Sequence, residues 1–548
     1  MKQGFSIFIS ETQTEIKTFI SGKNDDFHFQ NENPEILIEG VLLNKKKLLR
    51  DYASKDYQTL ILELYRQKKE KLVAELEGEF RGFIYDKNLK KIYVFTNATS
   101  TQRVFYTKIG NAVFIDTNLV RLNKSLKNKN LKTAPDLDAV YQMLCFGSLL
   151  ENKTILENVY KLLDGHFLEI DTDEIKIEEK QYFTPNPKEY YSKSKEKAIR
   201  EIHEIFEDSV LMEYEKDREF SKKHLALLSG GLDSRVAMMY AVKNGMKPDN
   251  VFCFSQSGYY DEKISRKIAE DYGLHYEFVA LDSGLFLNKI DELAEISEGL
   301  VLYTGGIHVQ YAVGKLQFQD FGVFHSGQIG DGVLGTFNSV PKKKKPSAFR
   351  ILLNPDFLPK VENTFNSVIK KYDSEEIFLM RNIAFNRPLL GAHVLQQKAY
   401  QTSPFMTKDF MKLALSFPEA WKYKHKFYLE WISEYCKEAT KYTWERTLMK
   451  PNAFWKMKAG DYFLKPAFVR WNKHILKTPQ KASMYPYQYY YDIYPEIREH
   501  YQNYFDENIR RLENYSELKE EIRKLFAKPN FYSKTHAINI LAIFKLYF

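Results

Sequence analysis

Leu228-Ser229-Gly230-Gly231-Leu232-Asp233-Ser234 is the stretch that decides how this chain is read. The short, mainly apolar run His224-Leu225-Ala226-Leu227 precedes it, and Arg235-Val236-Ala237-Met238-Met239-Tyr240-Ala241-Val242 follows. That order spells a buried strand, a tight glycine turn and a helix. Two adjacent glycines let the backbone approach an anion closely, and the amides that open a helix point at it. Ser229 and Ser234 add hydroxyls, and the Asp233 carboxylate suits a hard cation such as Mg2+. The spacing G-x-x-x-x-G-K-[ST] is missing, which excludes a Walker-type phosphate loop.

Outward from this turn, the chain has 548 residues, too many for one ordinary core, so two domains are expected. Hydrophobic residues at 44% and charged residues at 28% are the proportions of a globular protein. No apolar run approaches the ~20 residues that span a bilayer, and no membrane association is expected. The start, Met1 to Ile9, is too short and polar for a secretory signal and reads as a first strand. Cys145, Cys253 and Cys436 are scattered and form neither a disulfide framework nor a zinc pattern, which fits a cytoplasmic, reducing location. The net charge of +8 is dispersed except for Lys342 to Lys345, which reads first as a solvated loop tip. No nucleic-acid motif accompanies the charge, so no nucleic-acid partner is expected.

Residues 1 to about 185 read as short strands and turns, among them Glu35 to Leu43, Leu76 to Asp86, Lys91 to Asn97 and Ala112 to Asp116, with a helix from Leu137 to Phe146. A charged, tyrosine-containing linker leads into a helix expected from Lys197 to about Glu215, with Ile199, Ile202, Ile205, Phe206 and Val210 on one face. After the opening loop come a strand Asn250 to Ser255, then Asp261-Glu262, a helix from Lys263 to Tyr272 and a strand from His275. A second strand-to-glycine turn follows at Val323-Phe324-His325-Ser326-Gly327-Gln328-Ile329-Gly330-Asp331-Gly332. The final Ile538 to Phe544 is expected to dock as a buried helix, and Tyr485 to Tyr491 forms an aromatic cluster.

The Ser-Gly-Gly-Leu-Asp-Ser string resembles the pyrophosphate loop of the N-type ATP pyrophosphatases, the family of asparagine synthetase and β-lactam synthetase. The resemblance extends to the Asp-Glu helix, to Ser326-Gly327 with Asp331, and to the turn Gln401-Thr402-Ser403-Pro404-Phe405-Met406. Upstream, Glu77-Gly78-Glu79-Phe80-Arg81-Gly82-Phe83 is similar to the glutaminase domain of the same family. The resemblance implies an α/β chain: an Ntn-hydrolase-like αββα domain at 1–190, then a doubly wound synthetase domain of the adenine nucleotide α-hydrolase type, with helical additions, at 191–548. It implies ATP and Mg2+ as cofactors, with Asp331 matching the Asp that holds magnesium in the family and Asp233 supplying the second carboxylate against the triphosphate. Leu228, Ser229, Gly230, Gly231, Asp233, Ser234, Phe254, Ser326 and Gly327 would then contact the nucleotide, Phe254 at a strand end facing adenine. Counting on from Glu438-Ala439, after the helix that starts at Phe427, puts Lys450 where the family has a lysine on the α-phosphate, with Lys458 as competitor.

The departures carry as much. Working glutaminases have Cys after the initiator Met, where this chain has Lys2, and the Arg-Gly-Pro-Asp stretch that holds glutamine is missing. The N-terminal domain is therefore expected to be a scaffold without glutaminase activity. Gln328 stands where asparagine synthetases have Glu and β-lactam synthetases Tyr; an amide cannot serve as a base but can orient a substrate. Tyr400 falls where the family often has Glu and is the alternative proton carrier. The leading expectation is an ATP-dependent ligase that adenylates a carboxylate and joins it to an amine from a source other than glutamine. A peptide or small-molecule substrate, with a precursor peptide and a protease as partners, would suit lasso-peptide cyclase-like or β-lactam-like chemistry. The alternatives are a catalytically impaired scaffold, and a tRNA-adenylating enzyme, which would need a reactive cysteine pair.

Overall fold

The computed structural model describes residues 3–20, 22, 24–30, 32–187, 189–478 and 482–548. In the N-terminal domain, a five-stranded and a six-stranded antiparallel sheet lie face to face. Alternation along each strand sorts the side chains. In the strand Glu35–Leu42, Leu37 points between the sheets to join Phe5, Phe83 and Ile115. Its neighbours Ile36 and Ile38 point outward, onto Leu60, Ile61 and Leu64 of the helix Tyr57–Lys68. That helix begins where the Asp56 carboxylate accepts the Thr59 amide. The opposite outer face carries the helices Leu119–Asn128 and Leu137–Phe146. The layers are therefore helix, sheet, sheet, helix. Lys2, whose identity set the expectation about glutaminase chemistry, lies outside the described residues.

The last strand of the sandwich ends at Gln181, and the helix Lys195–Glu219 begins the synthetase-like domain. Ser194 caps it by accepting the Lys197 amide, so it runs beyond the expected bounds at both ends. Its buried residues include Ile199, Ile202, Phe206 and Val210. A five-stranded parallel sheet follows. Across it lie His275–Ala280, Asn250–Ser255, Lys223–Leu227, Phe321–His325 and Gln401–Thr402. The first strand in the chain, Lys223–Leu227, is central; the next two extend to one side and the last two to the other. Such a doubly wound sheet has a switch point between the first strand and Phe321–His325, where the loops leaving the two strands open a crevice. The helix after the second strand spans Tyr260–Tyr272, so Asp261 and Glu262 lie in its first turn, at the positive end of its dipole.

The two domains share one apolar core that continues from Leu137–Phe146 into the parallel sheet. The closing helix, Phe531–Tyr547, is buried along most of its length. The carbonyl of Tyr547 accepts from Asn123 Nδ2 and Lys127 Nζ, and its hydroxyl donates to the Glu298 carbonyl. Lys344 pairs with Glu375 and Lys345 with Asp373, as expected of a solvated basic loop. Among the described residues no helix is long and apolar enough to cross a membrane.

Candidate active site

Leu228 continues the central strand by donating its amide to the Phe252 carbonyl at 2.9 Å. The chain then turns, and Gly231, extended at φ −71° and ψ 166°, starts the helix Leu232–Lys243. The serines shape the turn. Ser229 Oγ accepts the Gly231 amide at 3.1 Å, and Ser234 Oγ accepts the Ser229 amide at 3.1 Å. Asp261 Oδ1 accepts the Gly230 amide at 2.8 Å. Burial, with Glu445 close by, pushes the Asp261 carboxyl up to about 6. Beneath the turn lies Arg235, which is fully buried. Its guanidinium donates to the carbonyls of Gly230, Gly231, Tyr442 and Thr443 at 2.7–3.1 Å. Sequence reasoning passes over Arg235 as one more helix residue. The available signal is a cation directly behind the motif, followed by the mainly apolar run Val236 to Val242.

The second turn meets the first backbone to backbone. A Cβ on Gly327 would stand 2.2 Å from the carbonyl carbon of Asp233, and one on Gly330 would stand 2.8 Å from Asp233 Cγ. Only glycine permits that approach. Between them Ile329 has φ +70°, a strained conformation for a β-branched residue, and it is held there by burial. The Asp331 amide donates to Asp233 Oδ2 at 2.8 Å and Tyr428 Oη donates to Asp233 Oδ1 at 2.9 Å. Thr336 donates to Asp331 Oδ2 at 2.8 Å. Burial and the neighbouring Asp331 charge hold the Asp233 carboxyl well above its ordinary range. Two like charges brought together, each with oxygen lone pairs remaining, are a donor set that fits a hard divalent cation.

Ser326 is locked into the sheet end: its hydroxyl donates to the Thr402 carbonyl at 2.8 Å and accepts from Gln401 Nε2 at 2.8 Å. Gln401 Nε2 also donates to Gln328 Oε1, and Gln328 Nε2 donates to the Pro388 carbonyl at 2.5 Å. Both ends of the Gln328 amide are thus engaged by the protein. Tyr400 does not share this site. The residue beside it, Gln401, takes the place facing Gln328, and Tyr400 packs with Val41, Leu43 and Val323 against the N-terminal domain. Burial and nearby Glu39 push its phenol far above the usual range.

The cations differ as well. Lys450 is exposed, and among the described residues no ion pair or hydrogen bond engages its ammonium. Arg446 lies nearer the two aspartates: it donates to His425 Nε2 at 2.6 Å, sits 3.5 Å from Thr336 Oγ1, and lowers the proton affinity of Asp233. Burial and Arg446 press His425 down to about 3, so it is a neutral acceptor. Lys465 Nζ stands 2.5 Å from Glu445 Oε1, and the Glu445 amide donates to the Gly230 carbonyl. Lys458, the competing lysine, has its ammonium 5.0 Å above the Phe454 ring. Phe254, next to last in its strand, is half-buried, with its ring 5.9 Å from His308. His308 in turn stacks on Tyr485 and bonds Tyr487 Oη, so the tyrosine tract lies over this strand end. All three cysteines are buried and their thiols pushed up to about 12, which leaves no reactive thiol.

Residues 25–183 match the family model of the glutamine amidotransferase domain, and residues 201–398 match that of asparagine synthase. The chain therefore joins an Ntn-type glutamine amidotransferase-like domain to an asparagine synthase-like domain. The amidotransferase-like match precedes the synthase-like one, which supports the resemblance to asparagine synthetase-like proteins. No curated protein matches the chain. Among solved structures, glutamine phosphoribosylpyrophosphate amidotransferase from B. subtilis, complexed with ADP and GMP, is 10% identical. The match covers 50% of this chain and 59% of that one, with a TM-score of 0.21. A structure described as the allosteric regulatory enzyme of purine biosynthesis is 9% identical, covering 50% and 74%, with a TM-score of 0.22. This chain thus spans about three-fifths of the first of these.

Proposed function

We propose that the protein activates a substrate carboxylate with ATP, releasing pyrophosphate, and joins the resulting acyl-adenylate to an amine that does not come from glutamine. One observation carries this reading: the two glycine turns touch at the switch point and bring Asp233 and Asp331 together. The loop 228–234 would cradle the phosphates, with Ser229 and Ser234 turning their hydroxyls toward them. Mg2+ held by the two aspartates would supply charge neutralisation of the triphosphate. Arg446 takes the role that residue counting assigns to Lys450, meeting the charge that develops as pyrophosphate leaves. Gln328, held by Gln401 and the Pro388 carbonyl, would orient the acyl group or the incoming amine. Lys2 and the missing glutamine-holding stretch support an amine supplied by the substrate itself, as in peptide or natural-product cyclisation.

ATP–pyrophosphate exchange across a panel of amino-acid and peptide carboxylates tests the first half. Exchange that depends on one carboxylate class and vanishes in D233A and D331A is the expected result. Exchange with none of them returns the chain to the scaffold reading. Free L-glutamine should neither be hydrolysed nor stimulate product formation; glutamate release would overturn the choice of amine.

A further inference from the structure

The helical segment from Phe454 to Ile475 stands out from the rest of the surface. Trp455, Tyr462, Phe463, Trp471 and Ile475 are each more than half exposed, Phe463 at 73%. Single exposed apolar side chains are ordinary, but this many on one short stretch mark an interaction surface. The helix is anchored on one side only. A Cβ on Gly460 would strike the Thr447 carbonyl at 2.3 Å, so the two backbones touch there. Phe468 packs edge-on against Tyr260 at 5.4 Å, and Lys465 pairs with Glu445. Glu445 and Thr447 belong to the turn that donates to the Gly230 carbonyl. The segment therefore borders the mouth of the crevice. Pro466 has no N–H for the Tyr462 carbonyl, and the helix widens into a π turn over Gly460–Leu464 just before it.

Charge narrows the choice of occupant. Between 455 and 477 there are six lysines and arginines against one acid, Asp461, which faces Arg446. Two copies of so basic a surface repel each other across a symmetric dimer. The consecutive residues Tyr462, Phe463 and Leu464 are all exposed and fan around the widened turn rather than lying along one line of it. A flat bilayer would cover only one side of such a helix. A flexible chain carrying acidic and apolar side chains can follow both the charge and the curvature.

We infer that this helix is the docking surface for an acidic, apolar-rich peptide, the segment of the substrate that lies upstream of the carboxylate to be adenylated. The inference rests on the ligase reading above, but its test does not. The probe is a fluorescein-labelled decapeptide of alternating Glu and Leu with a free C-terminus, titrated with the full chain without ATP and followed by anisotropy. Its Lys-for-Glu counterpart is the control. The wild type should bind the acidic probe and not the basic one. The double substitution F463S/W471S and the charge reversal R470E/K473E should each weaken binding by roughly tenfold or more, at unchanged circular dichroism. D233A should bind as the wild type does. Equal binding by wild type and both surface variants overturns the inference. So does binding to phosphatidylglycerol vesicles without binding to the peptide, and so does a concentration-dependent dimer that F463S/W471S abolishes. If peptide binding follows the surface while no carboxylate supports exchange, the docking site stands and the ligase reading falls. If exchange follows Asp233 while the surface variants bind the probe normally, the reverse holds.

Discussion

Two hollows in this molecule handle buried charge in opposite ways. The first, a cavity of about 570 Å3 between the domains, is lined by Glu39, Arg81, Arg103, Glu298 and Tyr400. Its charges are matched: Arg81 forks onto Glu39 at 2.8 and 3.2 Å, and Arg103 reaches Glu298 at 3.0 Å. The remaining Arg81 donors go to the carbonyls of Gln3, Arg103 and Thr117. The second, the crevice at the end of the parallel sheet, sets Asp233 beside Asp331 and leaves their mutual repulsion standing. A matched buried pair holds itself and asks for nothing further, although removing one member is costly. A like-charged pair is unstable until a cation arrives. The contrast locates chemistry in the crevice and structure in the cavity, although both domains resemble enzymes in sequence.

Asp233→Ala gives the largest effect and attacks the comparison at its centre. Exchange should fall by about 10³-fold, as expected when a metal ligand beside the reacting phosphates is lost. Thermal stability without magnesium should hold or rise, because Asp331 loses a like-charged neighbour. A variant that keeps wild-type exchange breaks the contrast outright. Glu39→Ala is the mirror image. It strands Arg81 and should cost about 3–5 kcal/mol, read as a lower urea midpoint. Exchange per folded molecule should stay within about twofold. If exchange collapses instead at unchanged stability, the cavity is part of the catalytic apparatus.

How much of this was legible depended on backbone regularity. The first turn could be read because an apolar strand, two glycines and a helix each leave a local pattern, and Asp331 because the same pattern recurs at Val323–Gly330. Arg235 and Tyr428 could not: a cation and an aromatic residue on helices give no sign of which carbonyl or carboxylate they reach. Tyr400 lies away from Gln328 for a geometric reason. Adjacent strand residues face opposite ways, so a slip of one exchanges Tyr400 for Gln401. The N-terminal sandwich was legible as strands, but the pairing of Arg103 with Glu298 joins residues far apart in the chain and has no sequence signature.

Asp261 supplies an intermediate effect and sharpens the account of the first turn. Folding raises its proton affinity from an ordinary 3.8 to about 6. Its stabilising contribution is therefore complete below 3.8 and is lost as pH rises through 6. Asp261→Asn removes that titration while keeping an acceptor for the Gly230 amide. From pH 4 to pH 7 the wild type should lose up to about 3 kcal/mol relative to D261N, by urea unfolding at each pH. A pH-independent difference would mean that Glu445 and burial do not act on Asp261 as the geometry requires.

The smallest expected effect decides between two cations four residues apart. Counting along the chain favours Lys450, but the segment it crosses is irregular: Leu448 has φ +58°, and Trp444 pairs back onto Met449. Residue counts lose their meaning through such a turn, because no fixed rise or rotation connects its positions. Arg446 lies before the reversal, on the side of Thr336 and the aspartates; Lys450 emerges after it, into solvent. Arg446→Ala should lower exchange by about 10²-fold, the scale of one preorganised charge near a leaving group, and Arg446→Lys should recover part of the loss. Lys450→Ala should change exchange by less than about threefold, as a mobile exposed ammonium contributes little. The opposite ranking would show that the turn closes over ATP and carries Lys450 inward, and the crevice would then be completed only when the nucleotide binds.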